Sequence, residues 1–535
     1  MPNRMPSVMS HNFSQVPRAD IQRSSFTSPH GFKTTFDAGY LIPIFWDEAL
    51  PGDTFNLQGA GFARMATPLH PFMDNLHFET FFFAVPYRLI WDNWQKFMGE
   101  QVDPGDSTDY ICPVVTTPVG GYSVGSLYDY FGLPTGIKFE NVNNFYGRAY
   151  NLIWNNWFRD ENLQDSIVVD RHDGPDLASD YVVRRRGKRH DYFTSCLPWP
   201  QKGDAVSLPL GISAPVLGIG ADTNTWSTAG AVDMYETGKT SVTNVPAATG
   251  KKWLDSTTSA QRFYVVEDLN NPGFPNIRAD LSTATAATVN QLREAFQVQR
   301  MYERDARGGT RYTEIVLSHF GVSSPDARMQ RPEYLGGGYA SVNVNPIAQT
   351  SSTDATTPQG NLAAIGTIAF NNHGFTKSFT EHCVVIGLAC VRADLNYQQG
   401  IHRSWSRQTR WDFYWPGLAH LGEQAVLSKE IYADGTAGDQ TVFGYQERYA
   451  EYRYKPSVIT GKYRSSYAQS LDSWHLAQDF ASRPVLDSAF IEENPPVSRV
   501  LAVPSEPHFL LDMFYNYKRA RPMPTYSVPG LIDHF

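Results

Sequence analysis

EHCVVIGLACVRADL (residues 381–395) sets the fold class. Its centre, CVVIGLACV (383–391), carries no charge and no proline. That run falls well short of the roughly 18 apolar residues a membrane span needs, and it suits a buried strand. NLAAIGTIAF (361–370), just upstream, has the same character. Two earlier stretches match it: TTFDAGYLIPIF (34–45) and LHFETFFFAVPYRL (76–89). Aromatic, half-alternating strands of this kind fit a β-sandwich whose inner faces pack together. Sheet halves drawn from distant chain segments are what Greek-key and jelly-roll topologies require, so a mainly β chain of that type is expected.

Between the strands the texture changes. WDNWQKFM (91–98) turns toward a helical pattern, and VNNFYGRAYNLIWNNWF (142–158) places Val142, Phe145, Tyr146, Ala149, Ile153 and Trp157 on one helical face. A further helix is predicted over 288–309, with a glycine pair as its stop, and another over AHLGEQAVLSKEIY (419–432). Only six aromatic residues fall within 201–288, where Ser, Thr, Ala, Gly and Asn dominate, so this segment reads as an exposed insertion. The expected organisation is an N-terminal arm (1–30), a first part of the core with inserted helices (31–200), the insertion (201–288), a second part of the core (289–505) and a C-terminal tail (506–535).

The 535 residues include 32 Phe, 28 Tyr and 12 Trp, alongside 41 Gly and 35 Pro. This mixture favours strands, long loops and wide contact surfaces. A net charge of −9 argues against a surface built throughout to hold nucleic acid, so any such contact must be local. The four cysteines (Cys112, Cys196, Cys383, Cys390) have no CxxC spacing, and the opening residues lack an apolar h-region; folding in a reducing cytoplasm is expected, with no membrane insertion.

Searches for catalytic chemistry fail. GYSVG (121–125) fits G-x-S-x-G, but prolines and glycines stand where a strand must enter, and Ser126 with Asp129 reads as a helix cap. ETGKTS (236–241) has Asp233 where a P-loop needs its first glycine. No histidine or cysteine pair has metal-ligand spacing, and no cofactor is expected; a divalent cation held by carboxylates at a subunit contact leaves no short signature.

Two charged segments remain. RRRGKRH (184–190) gathers Arg184, Arg185, Arg186, Lys188 and Arg189, a cluster suited to nucleic-acid contact through phosphates, against the alternatives of a solvated loop or an arginine-rich subunit contact. The arginine series at 300, 304, 307 and 311 has acidic residues interleaved and is a weaker candidate. GYQERYAEYRY (444–454) sets Glu447 and Glu451 four apart. In a strand they stand about 13 Å apart, beyond the separation of a glycosidase pair, and in a helix they sit on a convex surface. As a strand, Tyr445, Glu447, Tyr449, Glu451 and Arg453 share one face, with Arg448, Tyr452 and Tyr454 on the other. Tyrosines and arginines mixed in this way predict a subunit interface, with the glutamates pairing to Arg448 and Arg453.

Three long segments, HPFMDNLHFETFFFAVPYRLIWDNWQKFMGEQ (70–101), RRRGKRHDYFTSCLPWPQKG (184–203) and GYQERYAEYRYKPSVITGKYR (444–464), resemble the major capsid proteins of gokushovirus-type microviruses, small phages with circular single-stranded DNA. Tyr449 stands where a tryptophan is expected. The resemblance implies an eight-stranded viral jelly roll with long loop insertions and several short helices. It also implies no enzymatic activity, a T=1 icosahedral shell enclosing the genome, and an insertion that projects outward for host attachment. Implied partners are further copies of the chain, the packaged single-stranded DNA, an internal scaffolding protein, a small basic DNA-binding protein, a DNA pilot protein and a receptor on the bacterial host. The implied location is the virion, assembled in the host cytoplasm. Against this stand a secreted β-rich carbohydrate-binding or glycoside-hydrolysing protein and a single-stranded-DNA-binding module. The missing export signal and carboxylate cleft weigh against the first, and the absence of a pervasive basic groove against the second.

Overall fold

A computed structural model describes residues 22–206, 289–354 and 358–526, together with the backbone of six short strands between 216 and 279. Among the described residues the chain is mainly β. Eight long strands carry the architecture: β1 (His30–Phe36), β2 (Ile42–Ala49), β3 (Thr54–Met65), β4 (Leu76–Pro86), β5 (Glu333–Ser341), β6 (Leu362–Ser378), β7 (Cys383–Ala393) and β8 (Phe509–Arg521). One sheet runs β1-β8-β3-β6 and the other β2-β7-β4-β5, antiparallel throughout. Strand β1 pairs with β8, β2 with β7, β3 with β6 and β4 with β5. This is a long antiparallel ribbon rolled into a jelly-roll sandwich. Ser24–Thr27 and Asn343–Ala348 add to the edges of the first sheet.

The apolar run of β7 follows from burial on both faces. Cys383, Val385, Ala389 and Val391 point into the core between the sheets, with Phe78, Phe82 and Ala84 of β4 beside them. The alternate residues Val384, Ile386, Leu388 and Cys390 point the other way, into a second apolar cluster with Phe83 and Val85. That outer cluster is closed by helix α1 (Phe145–Ile153), whose Phe145, Ala149 and Ile153 are buried as the helical spacing predicts. Val142 instead lies in a short strand paired with Val115, and Trp157 in a single π turn. Arg148 anchors α1 from within. Its guanidinium is wholly buried, forks onto Asp176 at 2.6 and 2.8 Å and donates to the Ile90 carbonyl at 3.0 Å. Gly387 on β7 leaves room for the Phe82 ring, because a Cβ there would sit 2.7 Å from it.

Three expectations change. Residues 509–521 are not a tail but β8, hydrogen-bonded between β1 and β3, with Phe509, Leu511, Met513, Tyr515 and Tyr517 inward. The expected arm at 1–30 includes paired strand from Ser24 onward; residues 1–21 of it lie outside the described residues, as do 527–535 of the tail. The helix expected over 419–432 is a strand, Glu423–Leu427, followed by a 3-10 turn, because Gly422 enters with φ +93° and pairing with Val442–Glu447 takes up the backbone.

The chain divides into two compact units, 1–200 with 305–535, and 201–304. Most of the insertion expected at 201–288 lies outside the described residues. Within it, Val242–Val245, Val232–Glu236, Arg262–Val266 and Leu254–Asp255 form a four-stranded sheet, and Arg278–Ala279 pairs with Val216–Leu217. Helix α2 (Val289–Gly308) follows, and Gly309 at φ +94° ends it.

Truncation of Phe82, fully buried between the sheets, is expected to lower the unfolding free energy of the unassembled chain by about 3–5 kcal/mol. Leu510→Ala on the outer face of β8 should cost less than about 1 kcal/mol in the same urea titration. Equal effects would contradict the assignment of faces.

Candidate functional site

Residues 184–189 follow the β2 approach as a brace. The Leu41 amide donates to the Arg184 carbonyl, the Arg186 amide to the Gly39 carbonyl, the Glu493 amide to the Arg186 carbonyl and the Lys188 amide to the Ile491 carbonyl, all within 2.7–2.9 Å. The segment is thereby stitched between residues 39–41 and 491–493. Its side chains are correspondingly occupied. Arg185 stacks on Tyr40 at 4.1 Å and donates to the Glu493 carbonyl at 2.9 Å. Arg186 pairs with Glu79 on the outer face of β4, and Arg392 of β7 donates to the same carboxylate at 2.8 and 3.0 Å. Burial alone would push the Glu79 carboxyl up; the two guanidiniums outweigh it and hold Glu79 below the usual carboxylate range. Lys188 is buried, with its Nζ donating to the Phe490 carbonyl at 2.6 Å.

The basic cluster expected at 184–189 is largely folded into the chain. Arg185, Arg186 and Lys188 turn their charged heads into the chain, where a carboxylate, two carbonyls and aromatic faces meet them. Arg189 holds Asp394 at 2.7 Å, and Arg184 makes no salt bridge among the described residues. In the weaker series, Arg307 pairs with Glu423, and Arg311 with Glu161 and Glu314.

GYQERYAEYRY is a strand only as far as Glu447. Val442–Glu447 pairs with Glu423–Leu427 on one side, and Tyr445 exchanges two 2.8 Å backbone bonds with Leu197 on the other. Gly444 permits that approach, since a Cβ there would stand 2.7 Å from the Cys196 side chain. Tyr449 then adopts the left-handed region at φ +63°, and Ala450–Tyr452 is a 3-10 turn. This turn breaks the single face expected for Tyr445, Glu447, Tyr449, Glu451 and Arg453. Tyr449 and Glu451 are buried within the chain. Glu451 accepts from Arg407 at 3.2 Å and Gln424 at 3.0 Å, not from Arg448. Arg448 lies against the Tyr449 ring. Glu447 pairs with Arg453 as expected, and Glu447, Tyr452 and Arg453 stay exposed.

The sequence reading passed over residues 402–421, which pack against this turn. Three short 3-10 turns, Arg403–Ser406, Arg410–Asp412 and Pro416–Leu418, present Trp405, Trp411, Phe413, Tyr414 and Trp415 to solvent. The Arg407 guanidinium lies 4.3 Å over the Tyr452 ring, and the Tyr414 amide donates to the Tyr452 hydroxyl at 3.3 Å. Five aromatic residues in eleven positions, without strand or helix period, were the available signal. Beneath the surface lies a third apolar core of Tyr192, Phe193, Cys196, Tyr397, Val426, Ile431 and Phe443.

None of this is catalytic geometry. Ser126 caps a short helix by accepting the Asp129 amide, and no group of three or more His, Cys, Asp or Glu could hold a metal ion among the described residues. The four thiols are free, and burial pushes Cys383 and Cys390 up to about 12. No helix among the described residues is long and apolar enough to cross a membrane.

The family described as "Capsid protein (F protein)" matches residues 14–531. The chain belongs to that family. It is 48% identical to capsid protein VP1 of Bdellovibrio phage phiMH2K, over 98% of each chain. It is 45% identical to capsid protein VP1 of Chlamydia phage 1 over 99% of each, and 38% identical to that of Spiroplasma virus 4 over 97% of each. It is a structural protein of the virion, not an enzyme, and a capsid protein works by assembling with copies of itself into a shell.

In this capsid protein, Glu79→Gln leaves Arg186 and Arg392 buried without their counter-charge, at an expected cost of about 3–5 kcal/mol near neutral pH. The folded-state value of Glu79 lies below its ordinary 4.5. Its contribution is therefore full above that value and is lost as the pH falls through the depressed one. The gap between wild type and Glu79→Gln in urea unfolding should narrow on acidification; a constant gap would contradict the pairing.

Proposed function

We propose that the chain forms a T=1 icosahedral shell around a circular single-stranded DNA genome, with the mid-chain insertion directed outward for host attachment. Full-length likeness to phage capsid proteins and the jelly-roll sandwich support this reading. The observation that carries it is an asymmetry between the two sheets. The outer face of β2-β7-β4-β5 is covered by α1 and its neighbours. The outer face of β1-β8-β3-β6 instead leaves Phe62, Leu510 and Phe514 each more than half exposed on adjacent β3 and β8. Apolar side chains left exposed on a sheet face among the described residues fit a contact that closes on assembly.

The remaining partners follow from the same reading: an internal scaffolding protein, a DNA pilot protein, a host-surface receptor and a small basic DNA-binding protein. A subunit of net charge −9 neutralises little of a genome alone, which gives the basic protein its role.

Purified chain, with its scaffold where required, should form uniform closed particles in negative-stain images. Phe62→Asp with Phe514→Asp should abolish particles while leaving subunit unfolding within about 1 kcal/mol of wild type. A chain that stays monomeric under all assembly conditions would sink the proposal. Deleting 205–285 should spare the sandwich and abolish attachment to host cells; loss of the core fold would show that the segment is not peripheral.

A further inference from the structure

Residues 401–420 and 452–471 pack together and hold seven lysines and arginines against one carboxylate, Asp412, in a chain of net charge −9. Asp412 is taken up by the Gln408 and Thr409 amides. Arg403, Arg407 and Arg453 are paired with Glu430, Glu451 and Glu447. Arg410, Lys455, Lys462 and Arg464 have no carboxylate partner among the described residues, and all four are exposed. Two of these cations rest on ring faces: Arg410 lies 4.0 Å over Trp411, and Lys462 lies 5.9 Å from the Tyr467 ring centre.

Within this surface lies a cavity of about 270 Å³, lined by Trp405, Tyr454, Ile401, Pro456, Val458 and Arg464, whose guanidinium donates to the Gln398 carbonyl at 2.7 Å. Trp405 is 84% exposed although it lines the cavity. Gln398, Glu430 and Glu451, which also line it, already have partners; Glu451 accepts from Arg407 and Gln424. Gln398 binds Ser465 through both ends of its amide, at 2.8 and 2.9 Å. Glu430 accepts from Tyr192, Arg403 and the Leu427 amide. Besides the Tyr397 hydroxyl and His402, the surface offers a ligand chiefly flat ring surface, aliphatic edge and positive charge without a carboxylate partner. A ligand matching all three has exposed planar rings at intervals along a polyanion, and needs no hydrogen-bond readout. A duplex hides its ring faces in the stack, whereas a single strand offers them.

We propose that the cavity between Trp405 and Tyr454 stacks bases of single-stranded nucleic acid, while Lys455, Lys462 and Arg464 neutralise the adjoining phosphates. The inference rests on the genome-enclosing reading and names the surface that would carry out the contact once expected of Arg184–Arg189. A second copy of the chain is the competing occupant. Protein interfaces are depleted of lysine, and two of these three cations are lysines.

The test uses soluble, unassembled full-length chain, with fluorescence anisotropy of a labelled oligo-dT and of an abasic oligomer of equal length, across a salt series. Trp405→Ala with Tyr454→Ala should weaken oligo-dT binding about tenfold or more and leave the abasic oligomer unaffected. Lys455→Gln, Lys462→Gln and Arg464→Gln together should reduce the slope of log affinity against log salt by about 2 for both oligomers. Wild-type binding by either variant set would overturn the proposal. So would loss of particles with DNA affinity unchanged, which would give the surface to subunit contacts together with Glu447, Tyr452 and Arg453. Particle formation by the wild-type chain is scored separately. Its failure would sink the shell reading, whereas unaltered binding by variants of an assembling chain would sink only this one.

Discussion

A strand buried on both faces is the constraint from which most of this structure follows. Strand β7 has almost no polar surface, so neither side of it can face water. The first sheet covers one side. The other needs a cover of its own, and the chain between β4 and β5 supplies it in α1, the aromatics around Trp91 and the brace at 184–189. The cover must also answer the charged residue that β4 carries beneath it. Glu79 points outward opposite Cys390, and Arg186 arrives with Arg392 to neutralise it. The basic run is thus part of the covering layer, and its charge is set by what lies below.

This explains what the sequence disclosed and what it hid. Strands β4 and β7 were legible because double burial leaves an unbroken apolar run, and α1 because Phe145, Ala149 and Ile153 keep helical spacing although residues off that stripe, Arg148 among them, are buried as well. Strand β8 was not, since Leu510 and Phe514 are apolar on the outer face and erase the two-residue alternation that Phe509, Leu511, Met513, Tyr515 and Tyr517 follow. The helix misread at 419–432 turned on Gly422, whose positive φ no periodicity reports. The fate of Arg186 was invisible for a different reason. Its counter-charge lies 107 residues away, and a local charge count cannot supply it. Conversely, the surface around Trp405 lacks any period because short 3-10 turns display its aromatics, and periodicity was the signal being read.

The two sheets divide the labour of a shell subunit. One is sealed by its own chain and fixes the fold. The other keeps apolar side chains on its outer face, where a neighbouring subunit would complete the burial. The long connection between β7 and β8 builds a third core with Tyr192, Phe193 and Cys196, and that core holds the cationic aromatic surface in place.

The most direct test of this account is an electron cryo-microscopy reconstruction of the assembled particle. It should find Phe62 and Phe514 covered by an adjacent subunit, with the Trp405–Tyr454 cavity opening toward the lumen. A particle in which that sheet face is bare, or in which the cavity opens to the outside, would contradict it.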